Sequence, residues 1–168
     1  MNNIQSLTTI GAIALFSLIS VRFNSTVLEN ITVEVENKIY LTAFSLADDL
    51  IEEIKQKAFD EETVVFRSIN PEELTPSNNF APSFRDPGET SSPTTWDDID
   101  DFNGYTKSIS LPHAEGFQVT SQVEYVSASN PDLASLTQTF LKRITVRVTS
   151  AYLRNPVRLS FVFTLHSK

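Results

Sequence analysis

The residues best suited to chemistry lie in one short acidic stretch, WDDIDDFNGY, from Trp96 to Tyr105. Carboxylates at this density are potential calcium ligands, so an irregular calcium site is one interpretation. An EF-hand loop is excluded because its first and twelfth positions would fall on Ile99 and Ser110. The alternative is a turn in which Asp and Asn side chains bond their own backbone. The candidate ligands are Asp97, Asp98, Asp100 and Asp101.

No catalytic constellation accompanies this stretch. The sequence has two histidines, and we expect His113 in a turn and His166 at the rim of a strand. It contains no nucleophile elbow, phosphate-binding loop or zinc-protease motif. The absence of cysteine excludes disulfides and thiolate metal sites. The sequence therefore predicts that the protein is not an enzyme, and it predicts no cofactor apart from the calcium alternative.

Length and charge limit the domain organisation and the partners that can be expected for this protein. A chain of 168 residues corresponds to one domain with an appendage. Its net charge is −8, and it contains no basic cluster. Nucleic acid is therefore not an expected partner, because its phosphates require Lys and Arg. The same charge argues against an amphipathic helix that lies on anionic lipid.

The elements around the acidic stretch begin with one long helix, predicted over residues 4–58. No proline occurs before Pro71, and Ile4 to Val21 carries no charged side chain. We divide the chain into a hydrophobic helix (1–24), its amphipathic continuation (25–60) and a globular β domain (61–168). An apolar stripe with helical spacing follows the second part, and we expect it to pack on a sheet. The stripe consists of Leu28, Ile31, Val35, Ile39, Ala43, Leu46, Leu50 and Ile54.

Three interpretations compete for the apolar segment Ile4–Val21. A cleaved signal is disfavoured because no positive charge precedes Arg22 and no small-residue cleavage pattern follows. A membrane anchor fits, since eighteen helical residues reach about 27 Å. The third interpretation is a membrane helix that later bundles with copies of itself. Its small and hydroxylated residues, such as Thr8, Thr9 and Ser17, suit close helix packing.

The remainder of the chain is predicted to be a proline-rich loop and a sheet. Thr63–Arg67 has β-type composition, and residues 68–95 form one long loop, which Phe80, Phe84 and Trp96 could pin to the domain. This loop either covers the sheet or contacts neighbouring subunits.

Four strands follow as an antiparallel meander, which gives an α+β fold with the helix on one face of the sheet. In the third strand we place Ile144, Val146 and Val148 on one face and Lys142, Thr145 and Arg147 on the wetter face. The predicted strands are Tyr105–Leu111, Phe117–Val126, Phe140–Ser150 and Val157–His166.

This order of elements resembles that of type IV pilins and pseudopilins. Locally, LADDLIEEIKQKAFDEE (Leu46–Glu62), WDDIDDFNGY and LKRITVRVTS are similar to segments of minor pilins of the mannose-sensitive haemagglutinin type. The resemblance implies a pilin-like fold and a subunit held in the bacterial inner membrane, then extracted and polymerised into a cell-surface filament. It implies copies of the same chain and a pilus or secretion machinery as partners.

The resemblance also implies site residues. Met1 and Gln5 correspond to the N-terminal processing and pairing positions. The family has a glutamate where this chain has Gln5, so pairing with a neighbour's amine would be a hydrogen bond only. No basic leader ending in Gly and no cysteine pair is visible. The alternative function is a singly anchored accessory domain that does not polymerise. The expected filament-core residues are Ile4, Leu7, Ile10, Leu15, Leu18 and Val21.

Overall fold

The computed structural model describes residues 3–65, 70–86, 88–112 and 114–165. Within them the chain forms two helices followed by one antiparallel sheet, so the α+β class is confirmed. The chain separates into two compact units, residues 1–39 and 40–168. The elements are α1 (Asn3–Ile54), α2 (Glu61–Val65), β1 (Thr106–Leu111), β2 (Ala114–Tyr125), β3 (Leu141–Thr149) and β4 (Val157–Thr164).

Helix α1 is the long helix that the sequence predicts. Its 52 residues extend for about 78 Å at 1.5 Å per residue. It ends four residues before the predicted boundary, because the backbone tightens into a turn. There the amide of Lys57 bonds the carbonyl of Ile54, and the amide of Gln56 bonds that of Glu53. Such shorter-range bonds are the usual way in which a last helical turn closes.

The expectation of a β-type run at Thr63–Arg67 is wrong for the described residues, because Glu61–Val65 is the short helix α2. Asp60 precedes α2 and caps it. Its carboxylate accepts a bond from the amide of Glu62, and its own amide donates to the hydroxyl of Thr63. This reciprocal capping satisfies amides at the helix start and outweighs the β propensity of the valines. Phe66 and Arg67 lie outside the described residues.

The sheet has the order β1-β2-β3-β4, with every neighbouring pair antiparallel, as predicted. Its inner face carries most of the core. Phe117, Val119, Val123 and Tyr125 of β2 are buried there, at alternate positions along the strand. The turn before β1 uses Gly104 at a φ of 71°, where a side-chain carbon would approach Pro82 to 3.0 Å. Glycine is therefore required at this turn.

The expected packing of the apolar stripe is confirmed only for its C-terminal part. Within the unit 40–168, Ala43, Leu50 and Ile54 are buried, and a groove between α1 and the sheet is lined by Leu50, Ile109 and Val119. Leu28, Ile31 and Val35 belong to the unit 1–39, in which each side chain is about half exposed.

The prediction for the proline-rich loop is confirmed where the structure describes it. Residues 70–86 and 88–95 contain short 3₁₀ turns and neither α-helix nor strand. Phe80 and Trp96 are buried, but Phe84 is half exposed and does not pin the loop. The indole of Trp96 donates to the carbonyl of Thr90 at 2.8 Å and packs edge-on against Phe102.

Candidate functional site

The first candidate site is the apolar segment Ile4–Val21 of α1. Its six predicted core residues are between 63% and 76% exposed: Ile4, Leu7, Ile10, Leu15, Leu18 and Val21. This part of α1 is long and apolar enough to cross a membrane, with a mean hydropathy of 1.8 and none of it buried. An apolar surface of this size is not stable in water, so it must be covered by lipid or protein.

Three hydroxyl groups of this segment form hydrogen bonds within the helix. Thr8 and Thr9 both donate to the carbonyl of Gln5, at 2.9 and 2.8 Å, and Ser17 donates to that of Ile13 at 2.9 Å. These bonds remove the cost of placing a free hydroxyl in an apolar environment. The segment therefore suits lipid and helix–helix contact equally well.

The apolar surface continues beyond a membrane's thickness. A hydrocarbon core of about 30 Å accommodates about 20 helical residues, so lipid cannot cover both ends of this helix. Within the unit 1–39 a second group of large apolar side chains is exposed, and we call it the upper apolar stripe. It consists of Val27, Leu28, Ile31 and Val35, which are 38% to 57% exposed.

Of the two residues expected to take part in N-terminal processing and pairing, one can be placed. Gln5 lies exposed in the first turns of α1, and its backbone carbonyl accepts the two threonine hydroxyls. Met1 lies outside the described residues. The two histidines, His113 and His166, also lie outside them.

The second candidate site is the buried amine of Lys142, within the unit 40–168. The prediction placed Lys142 on the wetter face of β3, and this is wrong. Its side chain is fully buried on the inner face, together with Ile144, Val146 and Val148. Alternate residues of a strand lie on the same face, so Lys142 shares the face of Ile144, Val146 and Val148. A lysine buried to this degree requires partners for its charge.

Lys142 finds three acceptors, one for each ammonium hydrogen. Nζ donates to Asp100 Oδ1 at 2.6 Å, to Asp60 Oδ2 at 2.7 Å and to the carbonyl of Phe59 at 2.8 Å. Both carboxylates are buried. We call Lys142, Asp60 and Asp100 the buried triad. It joins the segment after α1, the acidic stretch and β3 at one point.

Asp60 is the most heavily bonded member of the buried triad. Besides Lys142, its carboxylate accepts the amide of Thr75 at 3.0 Å, the Thr75 hydroxyl at 2.9 Å and the Tyr125 hydroxyl at 3.1 Å. The amide of Glu62 donates to it as well. These donors satisfy the buried carboxylate within the protein.

Aromatic rings enclose the amine. The ring centroids of Phe59, Phe80 and Tyr125 lie 4.8, 4.9 and 5.3 Å from Lys142 Nζ. Their π faces attract the cation and exclude water, which strengthens the electrostatic interactions inside. Burial, and then the negative charge of Asp60, raises the pKa of the Tyr125 hydroxyl, so it remains a donor.

The four candidate aspartates of the acidic stretch do not share one role. Asp97 is exposed, whereas Asp98, Asp100 and Asp101 are buried. Asp98 and Asp101 each accept the other's backbone amide, at 3.2 and 3.4 Å, so the turn interpretation describes this pair. Burial raises the pKa of Asp98 to about 10 and that of Asp101 to about 8. Repulsion from Asp100 adds to the shift of Asp98, and the nearby Glu89 adds to that of Asp101.

A different group of carboxylates comes close enough to hold a metal ion. Asp86, Glu89 and Asp101 place one oxygen each within 4.8 Å of one another. Only Asp101 belongs to the four predicted calcium ligands. Three carboxylates are a partial set, because calcium takes six to eight oxygens. The guanidinium of Arg85 also lies 3.6 Å from Asp101, which places a positive charge beside this group.

Comparison of the chain with protein-family models, with curated proteins and with solved structures found no match. The functional argument therefore depends on the geometry of the two sites.

Proposed function

We propose that this chain is a structural subunit of an extracellular type IV pilus-like filament or pseudopilus, which assembles through its N-terminal hydrophobic helix. The observation that carries the proposal is the upper apolar stripe. Lipid would cover Ile4–Val21, but the stripe lies beyond the length that a bilayer covers, and its side chains are exposed in the single chain. Contact with further copies of the chain would cover both surfaces.

The sequence resemblance to pilins supports the same proposal. Its quoted segments lie in the amphipathic part of the helix and in the β domain, and the order of the elements resembles that of pilins along most of the chain. The assembly step would move Ile4–Val21 from lipid to the surfaces of neighbouring helices. Lipid tails are as apolar as leucine, so this transfer gains little from the hydrophobic effect. Burial of the upper apolar stripe from water would instead contribute, at about 25 cal/mol per Å². Extraction from the inner membrane is therefore assigned to a pilus or secretion machinery.

The N-terminal pairing remains part of the proposal. Gln5 is exposed in α1 and carries no charge. Its amide would form a hydrogen bond with the amine of a neighbouring subunit, and this contributes about 1 kcal/mol less than a bond to a charged carboxylate. Register between subunits would therefore depend more on apolar packing than on this pair.

The second candidate function is a singly anchored accessory domain of a secretion or pilus machine. One observation favours it. The hydroxyls of Thr8, Thr9 and Ser17 bond to their own helix, so the segment needs no partner helix to satisfy them. In that case the protein would remain in the membrane as separate copies.

A pair of charge substitutions beyond the membrane segment distinguishes the two functions. Ile31→Lys places a charge in the upper apolar stripe, while Glu29→Lys places one two residues away, on a different face of the same helix. Under the filament proposal, Ile31→Lys reduces the protein in the sheared cell-surface fraction by at least about tenfold, because burying a lysine costs more than 1.4 kcal/mol. Glu29→Lys leaves that fraction unchanged.

Membrane insertion is the control for both variants, because neither substitution lies within Ile4–Val21. Equal totals of the two proteins, summed over the membrane and sheared fractions, show that insertion is intact. If Ile31→Lys is sheared from the surface as efficiently as Glu29→Lys, the filament proposal is wrong. If the unaltered protein is absent from the sheared fraction, the accessory-domain function replaces it.

A further inference from the structure

The outer face of the sheet, which is the face away from the buried core, carries two arginines without a counter-charge. Arg147 of β3 lies directly opposite Arg158 of β4 in the strand register, and both side chains are exposed. Opposed residues of antiparallel strands have Cβ atoms about 5 Å apart, and like charges at this separation repel each other. Neither guanidinium forms an ion pair with a residue that the structure describes. A partner with negative charge would relieve this repulsion.

The same face shows how the fold neutralises another arginine. Arg143 of β3 lies opposite Glu124 of β2, and its Nη2 is 2.7 Å from the Glu124 carboxylate. The residue of β2 opposite Arg147 is Thr120 instead, whose hydroxyl donates to the backbone carbonyl of Arg147. The chain contains 21 acidic residues and has a net charge of −8, so carboxylates are plentiful. The two unpaired arginines are therefore a local exception in an acidic protein.

A cleft of about 660 Å³ lies beside the two arginines, and its lining includes Thr120, Gln122 and Thr145 as well as both arginines. This volume is within the range that admits a small ligand or several side chains of another molecule. The guanidinium groups present donors in a fork that matches the two oxygens of a carboxylate. The cleft is therefore suited to a pair of carboxylates from outside the chain.

The end of α1 carries a pair of carboxylates with matching spacing. Asp49 and Glu53 are one helical turn apart, and such residues have Cβ atoms about 5–6 Å apart. Both are exposed, and neither forms an ion pair with a described residue. Lys57, one turn after Glu53, donates to the carbonyl of Trp96 instead. The spacing of the two carboxylates is therefore close to that of the two arginines.

We propose that Arg147 and Arg158 of one copy bind Asp49 and Glu53 of the next copy. The inference rests on the proposed function, because it supplies a contact between the β domains of neighbouring subunits. The two pairs cannot meet within one chain, since the end of α1 packs on the inner face of the sheet and the arginines lie on the outer face. A contact between two different surfaces of the same chain repeats as a ring or an open helix, and a filament requires the open helix.

The contact sets the orientation of neighbouring subunits more than their affinity. Exposed ion pairs contribute little binding energy, so burial of apolar side chains on α1 would supply most of it. Two ion pairs side by side nevertheless favour one rotation of a subunit relative to the next. Other rotations would bring like charges together or leave the arginines unpaired, and like charges across an interface are strongly unfavourable.

The test is cross-linking of the full chain in cells, which is specific because the sequence contains no cysteine. Gln122→Cys introduces a thiol in the cleft, and Asp48→Cys introduces one beside the two carboxylates of α1. A flexible bis-maleimide should join them between copies into a ladder of dimers, trimers and longer species. Each single-cysteine variant should give no ladder, because the contact joins two different surfaces. The membrane fraction and the sheared cell-surface fraction are measured separately.

Charge reversal in the two-cysteine chain tests the residues themselves. Arg147→Glu together with Arg158→Glu should reduce the ladder by at least about tenfold, because four carboxylates then face one another. Adding Asp49→Arg and Glu53→Arg restores opposite charges and should restore the ladder. An unchanged unfolding curve, followed by the fluorescence of the buried Trp96, shows that the variants remain folded.

The outcomes separate this contact from the proposed function. A ladder that persists after the reversal, or that does not return with the exchanged charges, overturns the contact. Protein in the sheared fraction without a ladder also overturns the contact but leaves the filament intact. Absence of the protein from the sheared fraction overturns the filament. In that case a charge-dependent ladder in the membrane fraction supports the contact, and the lack of one overturns it as well.

Discussion

The two units of the chain differ in the exposure of their large apolar side chains. In residues 3–39 the large apolar side chains are exposed, from Ile4 to Val35. In residues 40–165 the sheet, the end of α1 and the acidic stretch bury a core that includes Ile54, Phe102 and Tyr125. One continuous helix contributes to both units. Large apolar residues are therefore exposed in the N-terminal part of α1 and buried near its C-terminal end.

This difference in exposure suggests that one unit determines the stability of the fold and the other determines assembly. The unit 40–168 has a sheet whose inner face is covered and a buried triad whose charges are paired. Its folding can be explained by its own contacts. The apolar side chains of the exposed part of α1 are not buried within the single chain. Their burial therefore requires lipid or other chains. Substitutions in the two units should therefore affect different measurements.

Loss of the buried amine should produce the largest change in stability. Lys142→Met leaves Asp60 and Asp100 buried without their counter-charge, which costs about 3–5 kcal/mol. The free energy of unfolding can be followed by the fluorescence of Trp96, the only tryptophan, which is buried in this unit. Lys107→Met serves as the exposed control, and equal stability of the two variants would contradict the role of the buried triad.

A matched pair on α1 tests the contrast with one residue type. Ile54→Ala removes a fully buried side chain and should lower the free energy of unfolding by about 2–5 kcal/mol. Ile31→Ala acts on a side chain that is 52% exposed and should stay within about 0.5 kcal/mol. The same Ile31→Ala variant should nevertheless reduce assembly at the cell surface. A similar loss of stability in both variants would show that the upper apolar stripe is already covered within one chain.

The acidic stretch should give the smallest effect, a pH dependence of stability. The pKa of Asp101 is raised by burial from 3.8 to about 8. The folded state therefore binds more protons than the unfolded state between about pH 4 and pH 8. The contribution is fully present below about pH 4 and is lost as the pH rises through this window. Because solvent and the nearby Arg85 guanidinium screen this carboxyl, we expect a total change of about 1 kcal/mol, well below the full linkage limit of about 1.4 kcal/mol per pH unit. Denaturant titrations of Trp96 fluorescence at several pH values measure it.

Asp101→Asn provides the check, because an amide cannot titrate. The free energy of unfolding of this variant should depend less steeply on pH from about 4 to 8. Asp132→Asn changes an exposed aspartate and should preserve the original slope. A stability that rises with pH over this range would contradict the protonation assigned to Asp101.

The sequence predicts the elements of this fold well, because each has a strong local pattern. The unbroken apolar run fixes α1, and the alternation of β2 and β4 identifies their inner faces. In β4, Val157 is buried and Phe161 is partly buried, and the two positions have the same parity. Turn chemistry also locates the bend at Asn103 and Gly104. These features depend on neighbouring residues, which periodicity can detect.

The sites were harder to predict because their partners are distant in sequence. Lys142 lies 82 residues from Asp60 and 42 from Asp100. Lys142 is two residues before Ile144, so strand alternation indicates that it is buried. A lysine is usually exposed, however, and the sequence does not show which carboxylates would pair with its charge. The burial of Asp98 and Asp101 depends in the same way on contacts that no local pattern encodes. At α2 the cause is local instead, because capping by Asp60 outweighs the β propensity of Val64.

The measurement that tests the proposed function most directly is an exchange of residues 1–24 for an unrelated transmembrane helix in the full chain. The variant should insert in the membrane as well as the original does, because any apolar helix of sufficient length spans a bilayer. Its amount in the sheared cell-surface fraction should fall below detection, since the filament proposal requires the packing surface of Ile4–Val21. A variant that is recovered from that fraction in unchanged amount would contradict the account and leave this helix as a membrane anchor only.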